Sequence, residues 1–161
     1  MARKPALLAT AIPVVVVVVG SAVVFGMRGH DESNSASDCD VVSALFTEWT
    51  DTLAAAQQEL VNSEDGHEGA LALADTEAEL AGRIRAAKEN VESPDIAEDL
   101  ERWATGAERG AQGRRDQTND PDLDVTAPPP RDYVEGVIAV QKATSSLVTA
   151  CPGARQPDKN S

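Results

Sequence analysis

Residues 67–71 read HEGAL and open like the HExxH zinc motif of metalloproteases, in which two histidines one helical turn apart bind the metal. Leu71 stands where the second histidine must be. Residues 64–67, EDGH, also match the Glu-x-x-His element of di-iron helical bundles, but that site needs a second copy on a facing helix and the sequence has none. We therefore expect no metal site and interpret the segment as a surface turn.

Another acidic motif, DPDLD at residues 120–124, alternates carboxylates as the start of a calcium-binding loop does. Val125 replaces the glycine that turns such a loop, and Arg131 stands at the position of the closing bidentate glutamate. The segment is typical of an ordinary acidic loop, with weak calcium binding as the alternative.

Catalytic groups would have to come together from distant parts of the sequence. Acid–base chemistry would need carboxylates such as Glu77, Glu98 or Asp132 to converge in a closed cleft. No Gly-x-Ser-x-Gly motif marks a nucleophile, and the glycines at 106, 110 and 113 lack the spacing of a dinucleotide or phosphate loop. We predict no catalytic residue and no bound cofactor.

Two tryptophans, Trp49 and Trp103, fall on apolar faces of predicted helices. They could line a ligand cleft between two helices. A single tryptophan on such a face is more often part of the core, and we keep the cleft as the alternative.

Cys39 and Cys151 are the two cysteines of the sequence, and they bracket almost all of its periodic part. We predict a disulfide between them, because the first and last helices of an antiparallel four-helix bundle place these ends at the same pole. Redox catalysis is disfavoured because there is no Cys-x-x-Cys motif. The alternative is that the two cysteines are unpaired and pack as small apolar side chains.

The elements that position these residues are predicted to be four amphipathic helices, since apolar residues recur at three- and four-residue spacing in four segments. The four sets are Val42, Leu45, Phe46, Trp49, Leu53, Ala56 and Leu60; Leu73, Leu80, Ile84, Ala87 and Val91; Ile96, Leu100, Trp103 and Ala107; and Val134, Val137, Ile138, Gln141, Leu147 and Val148. The fold class is therefore all-α, most economically an up-down-up-down bundle.

Helix ends follow from capping signals. The second helix should start between His67 and Ala70. Residues 93–95, SPD, supply an N-cap serine, a first-turn proline and a favourable acid for the third helix. We expect the glycines at 106, 110 and 113 to weaken the end of that helix, and residues 117–130 to form a loop.

The N-terminal part predicts a membrane anchor. Residues 6–27 carry no charge and, at ~1.5 Å per residue, are long enough to cross a hydrocarbon core of ~30 Å. Arg3 and Lys4 precede the run, which favours a cytoplasmic N-terminus for residues 1–5. A cleavable signal peptide, cut after Ser37, is the alternative and would give a secreted protein.

The rest of the sequence is divided into three parts. Residues 28–38 are small and polar and predict a flexible tether, residues 39–151 form the bundle domain, and residues 152–161 are expected to be a disordered tail. Lipidation of Cys39 is disfavoured, because Asp38 precedes it where lipoproteins need a small residue.

Charge limits the kinds of partner. Beyond residue 30 the sequence carries 27 acids and 11 bases, so that phosphate backbones and anionic headgroups are repelled and nucleic acid is not an expected partner. Arginine outnumbers lysine by ten to four, which suggests a bacterial source with a GC-rich genome. The acidity fits either a surface that resists self-association or attraction of a basic partner or divalent cations.

These features predict a single-pass membrane protein with an extracytoplasmic, non-enzymatic domain. Its expected partners are the membrane, through residues 6–27, and an unknown envelope protein that it binds or supports. The alternative function is a small-ligand-binding module with its pocket between the helices of Trp49 and Trp103.

Overall fold

The structure is a computed structural model that describes residues 32–122 and 128–154. Within these ranges the secondary structure is helical, with no β-strand, which confirms the predicted all-α class. The helices are α1 (Glu32–Asn62), α2 (Gly66–Ala87), α3 (Pro94–Asn119) and α4 (Arg131–Ala150). Short 3-10 turns follow α2 at Lys88–Asn90 and α4 at Pro152–Ala154.

Helix α1 begins earlier than the sequence predicted. Part of the segment 28–38, expected to be a flexible tether, is helical from Glu32 onward. Asp38 in this stretch is buried, and its side chain binds the connection between α2 and α3. Asp38 therefore belongs to the folded domain.

Side-chain caps set the starts of α2 and α3. Asp65 accepts hydrogen bonds from the backbone N–H groups of His67 and Glu68, so that α2 begins at Gly66, one residue before the predicted window. Ser93 accepts from the N–H of Ile96 and Pro94 occupies the first turn of α3, as the capping signals predicted.

Neighbouring helices in the sequence run antiparallel. Between α1 and α2, Glu48 pairs with Arg83, whereas Leu60, further along α1, lies against Gly69 near the start of α2. Between α2 and α3, Arg85 near the end of α2 pairs with Glu101 early in α3. These contacts show that α2 runs antiparallel to α1 and α3 antiparallel to α2, as expected for helices joined by short connections.

Helices α3 and α4 approach most closely at two glycines. A Cβ built on Gly106 would lie 2.8 Å from the carbonyl oxygen of Gly136, and Gly113 lies in the same way against Tyr133. Helix α3 runs on to Asn119 through these glycines, so that the loop predicted to begin at residue 117 begins about three residues later. The missing side chains allow α4 to pack on the backbone of α3.

The largest buried side chain, Trp103, belongs to a hydrophobic cluster toward the pole where α1 starts and α4 ends. Together with the buried Leu73 and Leu80, its members confirm the first three apolar patterns. The buried core residues include Val42, Leu45, Ile84, Ile96, Leu100, Trp103, Ala104, Ala143, Leu147, Cys151 and Ala154. Ala154 is buried against the core at the end of a 3-10 turn, although residues 152–161 were predicted to be a disordered tail.

The fourth apolar pattern is confirmed at Leu147, which is fully buried, and is wrong at its first members. Val134, Val137 and Ile138 are 38%, 48% and 42% exposed, and α4 turns Gly136 and Ala143 inward together with Leu147. Close packing on the glycines of α3 selects small residues of α4. Large apolar residues consequently remain on its outer side.

The predicted anchor, residues 6–27, lies outside the described residues. Among the helices of residues 32–122 and 128–154, none combines the length and hydropathy needed to cross a bilayer.

Candidate functional site

The disulfide predicted between Cys39 and Cys151 is present. Their Cα atoms are 5.3 Å apart across a sequence separation of 112 residues, and Cys151 is fully buried in the core. The bond joins the first part of α1 to the end of α4. It encloses nearly the whole described domain in one covalent loop.

Asp38 forms a second link at the same pole. One carboxylate oxygen accepts from the backbone N–H of Glu92 at 3.0 Å and the other from that of Ser93 at 2.8 Å. The Asp38 side chain is almost completely buried, and charge-assisted bonds to backbone N–H groups are how such a carboxylate is stabilised. The start of α3 is thereby fixed to α1.

The two tryptophans meet at the core, where Trp103 is buried and Trp49 is half-buried. The ring centroid of Trp103 lies 5.3 Å from that of Trp49 and 5.0 Å from that of Phe46. Trp103 is fully buried, and its Nε1 has no hydrogen-bond partner among the described residues. The contact with Trp49 is edge-to-face, a geometry that aromatic pairs favour.

An open depression lies between α1 and α2 at the pole opposite the disulfide, where Ala56, Leu60 and Leu73 form its apolar wall. Another lies beside the close contact of α3 and α4, between Arg102, Arg109 and Ala139. Neither of these depressions is lined by a tryptophan. The rings of Trp49 and Trp103, which the alternative interpretation placed around a ligand cleft, contact each other directly.

Ion pairs link α2 to α3 in a way that single-sequence patterns do not reveal. Arg85 binds Glu101 at 3.2 Å and Glu108 at 2.5 Å, and Lys88 binds Glu101 at 3.0 Å. Hydrogen bonds from Lys88 and then Arg85 lower the pKa of Glu101, and the bond from Arg85 lowers that of Glu108. The two carboxylates in turn raise the pKa of Arg85.

A second pair, Arg114 with Glu77, also joins α3 to α2 at 2.9 Å. Burial alone would lower the pKa of Arg114, but the hydrogen bond and charge of Glu77 raise it. The guanidinium lies 5.9 Å from the ring centroid of Tyr133, within the range of a cation–π contact with α4. Arg114 therefore bridges three helices.

The carboxylates considered for catalysis occupy separate places. Glu77 is paired with Arg114, and Glu98 is an exposed partner of Arg102 within α3. Asp132 lies exposed in the first turn of α4. Their positions do not form one cleft.

Metal-ligating side chains do not gather in the described ranges. No group of three or more histidine, cysteine or acidic side chains there could hold an ion, and His67 is exposed at the start of α2. In the acidic segment 120–124, Asp120 accepts a hydrogen bond from the N–H of Asp122 at 2.9 Å, a local turn bond. The segment continues beyond residue 122 outside the described ranges.

Helix α4 differs from the other helices in charge as well as in exposure. Residues 32–122 carry 22 acids and seven bases, a net charge of −15. Residues 128–154 carry two of each, Arg131, Asp132, Glu135 and Lys142, and are neutral. Together with the exposed Val134, Val137 and Ile138, these four residues define what we call the outer face of α4.

Comparison with known proteins gives no family assignment. No protein-family model matches the chain, and neither a curated protein nor a solved structure matches it significantly.

Proposed function

We propose that this chain is a single-pass membrane protein, in which residues 6–27 anchor a helical bundle on the extracytoplasmic side of a bacterial membrane. The domain acts without catalysis, by binding or supporting another component of the cell envelope. The uncharged length of residues 6–27, with basic residues before it, supports the anchor and its orientation.

The observation that carries this proposal is the Cys39–Cys151 disulfide. Structural disulfides form and persist in oxidising compartments outside the cytoplasm, and are rare inside it. A bond that closes the ends of the domain also suits a protein that must stay folded without intracellular chaperones. It therefore supports an extracytoplasmic location.

A binding or supporting role fits the chemistry better than the alternatives do. The carboxylates proposed for catalysis are dispersed in ion pairs or on the surface. The tryptophans proposed for ligand binding are packed against each other and Phe46. The net charge of −15 over residues 32–122 opposes nucleic-acid binding.

The proposal is tested by crosslinking the tagged full chain in intact cells and identifying what copurifies with it. The matched control replaces both Cys39 and Cys151 by serine, which loosens the domain and leaves residues 6–27 unchanged. We expect an envelope protein that is enriched with the native chain and lost with the double variant, while both stay in the membrane fraction. Recovery of the same proteins with both chains, or of none, would contradict a binding role of the folded domain.

A further inference from the structure

The outer face of α4 leaves large apolar side chains in solvent. Val137 is 48% and Ile138 is 42% exposed, although both follow a helical apolar pattern that would normally be buried. The close contact of Gly106 with Gly136 turns the small side of α4 inward. An apolar helix face that its own domain leaves uncovered is suited to contact with another helix.

From this face we propose that two copies of the chain associate through an antiparallel contact of their α4 helices. The two-fold axis passes near Val137 and Ile138, so that each packs against the other copy's apolar residues. This inference goes beyond the proposed function and uses its common membrane attachment. With the two-fold axis along the membrane normal, α4 of each copy lies along the membrane surface and both anchors enter the same membrane, where the two copies meet at high effective concentration.

The charge distribution favours a second copy of the chain over a basic partner at the outer face of α4. Two domains with −15 over residues 32–122 repel each other wherever these acidic surfaces meet. Residues 128–154 have no net charge, so contact through the outer face of α4 separates the acidic helices best. A basic partner would instead be drawn to α1, α2 and α3.

The charged residues of the outer face of one copy also complement those of a second, antiparallel copy. Glu135 and Lys142 lie seven residues apart, two helical turns or ~10 Å, on the same side of α4. In an antiparallel pair, Lys142 of each copy comes within side-chain reach of Glu135 of the other. Glu135 also binds Arg131 within its own helix at 2.7 Å, which leaves a second carboxylate oxygen for this contact.

The experiment measures the dissociation constant of the full chain in detergent by sedimentation, with five variants. We expect Ile138→Asp to weaken association at least ~10-fold, because it buries a charge at the centre of the contact. Val61→Asp is the matched control: Val61 is 78% exposed on α1, and association should stay within ~2-fold of the native value. Melting curves check that every variant is folded.

The antiparallel order is tested by charge reversal. Glu135→Lys and Lys142→Glu should each weaken association at least ~3-fold, because each places like charges opposite one another twice. The double variant restores opposite charges and should recover the native constant. Added salt should strengthen the native dimer by screening the −15 charges, whereas it would weaken contact with a basic partner.

Several results would overturn the inference. A native chain that stays monomeric at all concentrations and salt levels contradicts it, as does a dimer that Ile138→Asp leaves intact, since such a dimer forms elsewhere. Failure of the double variant to recover contradicts the antiparallel pairing. Carbonate extraction of the same membranes reports anchoring separately, so that a membrane-bound monomer refutes only the dimer and a soluble dimer refutes only the anchor.

Discussion

Gly106 of α3 and Gly136 of α4 face each other so closely that a Cβ on either would lie 2.8 Å from the carbonyl oxygen of the other. Side chains at this crossing would force the helices apart. The pair therefore determines which side of α4 turns inward, and with it which residues form the outer face.

Gly106→Ala should destabilise the domain. The new methyl group would overlap backbone atoms of α4, and overpacking of this kind costs about 1 to 3 kcal/mol. Gly110→Ala is the matched control in the same helix, because a Cβ there meets nothing within 4 Å. It should stabilise the protein by about 0.5 to 1 kcal/mol through helix propensity. Urea unfolding measures both, and equal effects of the two variants would contradict the close contact.

Asp38→Ala should lower the free energy of unfolding by about 2 kcal/mol, because two backbone N–H groups at the start of α3 lose a buried charged acceptor. Asp40→Ala removes an exposed carboxylate two residues away and should change stability by less than about 0.5 kcal/mol. Chemical denaturation distinguishes them. If Asp38→Ala left the free energy of unfolding unchanged, this carboxylate would not hold α3 to α1.

Acid should weaken the ion pairs of Arg85. The pKa values of Glu101 and Glu108 are lowered in the folded state, so their contribution is present above about pH 4.5, the ordinary glutamate value, and is lost as pH falls through the lowered values. Arg85→Gln should reduce the loss of stability between about pH 5 and pH 3. At neutral pH its effect should be small, because the charges are more than a third exposed.

Arg83→Gln controls for the loss of a surface arginine, since Arg83 pairs with Glu48 across α1 and α2 instead. Its acid dependence should lie closer to that of the native protein than that of Arg85→Gln does, because Arg83 pairs with one carboxylate and Arg85 with two. If Arg85→Gln and the native protein lose stability in parallel below pH 5, the Arg85 pairs do not contribute to acid sensitivity.

Reduction of the disulfide should destabilise the domain by about 4 to 5 kcal/mol in the chain-entropy model, because the bond closes a loop of more than 100 residues. Thermal unfolding with and without reductant measures the difference. The Cys39→Ser, Cys151→Ser double variant should match the reduced protein and be insensitive to reductant. An unchanged melting temperature on reduction would contradict a stabilising role.

Local signals in the sequence predicted much of the fold. The serine cap and Pro94 marked the start of α3, and periodicity placed Leu100 and Trp103 in the core. The disulfide followed from helix order, because four antiparallel helices return the chain to its starting pole. These features depend on neighbouring residues or on a simple count of helices.

Features that depend on a partner helix were missed. A glycine such as Gly106 reads as a helix breaker in one dimension, and only the approach of α4 gives it a packing role. For the same reason Val137 was assigned to the core. Asp38 looked like part of a polar tether, because its acceptors at residues 92 and 93 are more than 50 positions away.

The contacts of the candidate site were harder to predict from the sequence than the fold. Trp49 and Trp103 were expected on the apolar faces of the first and third helices, and their rings meet there, but the contact between the two rings could not be read from either helix alone. The pairs of Arg85 and Arg114 with acids of other helices carry no local signal. Their partners can be assigned only when the helix register is known.

The most direct test of the anchored, extracytoplasmic domain is the intact mass of the protein from carbonate-washed membranes of acid-quenched, thiol-alkylated cells. The predicted species starts at or near Met1, carries no alkyl group and is two hydrogens lighter than the reduced chain, because Cys39 and Cys151 are joined in the cell. A soluble product that starts near Asp38 would contradict the anchor. A membrane-bound chain with two alkylated cysteines would contradict the oxidising, extracytoplasmic location.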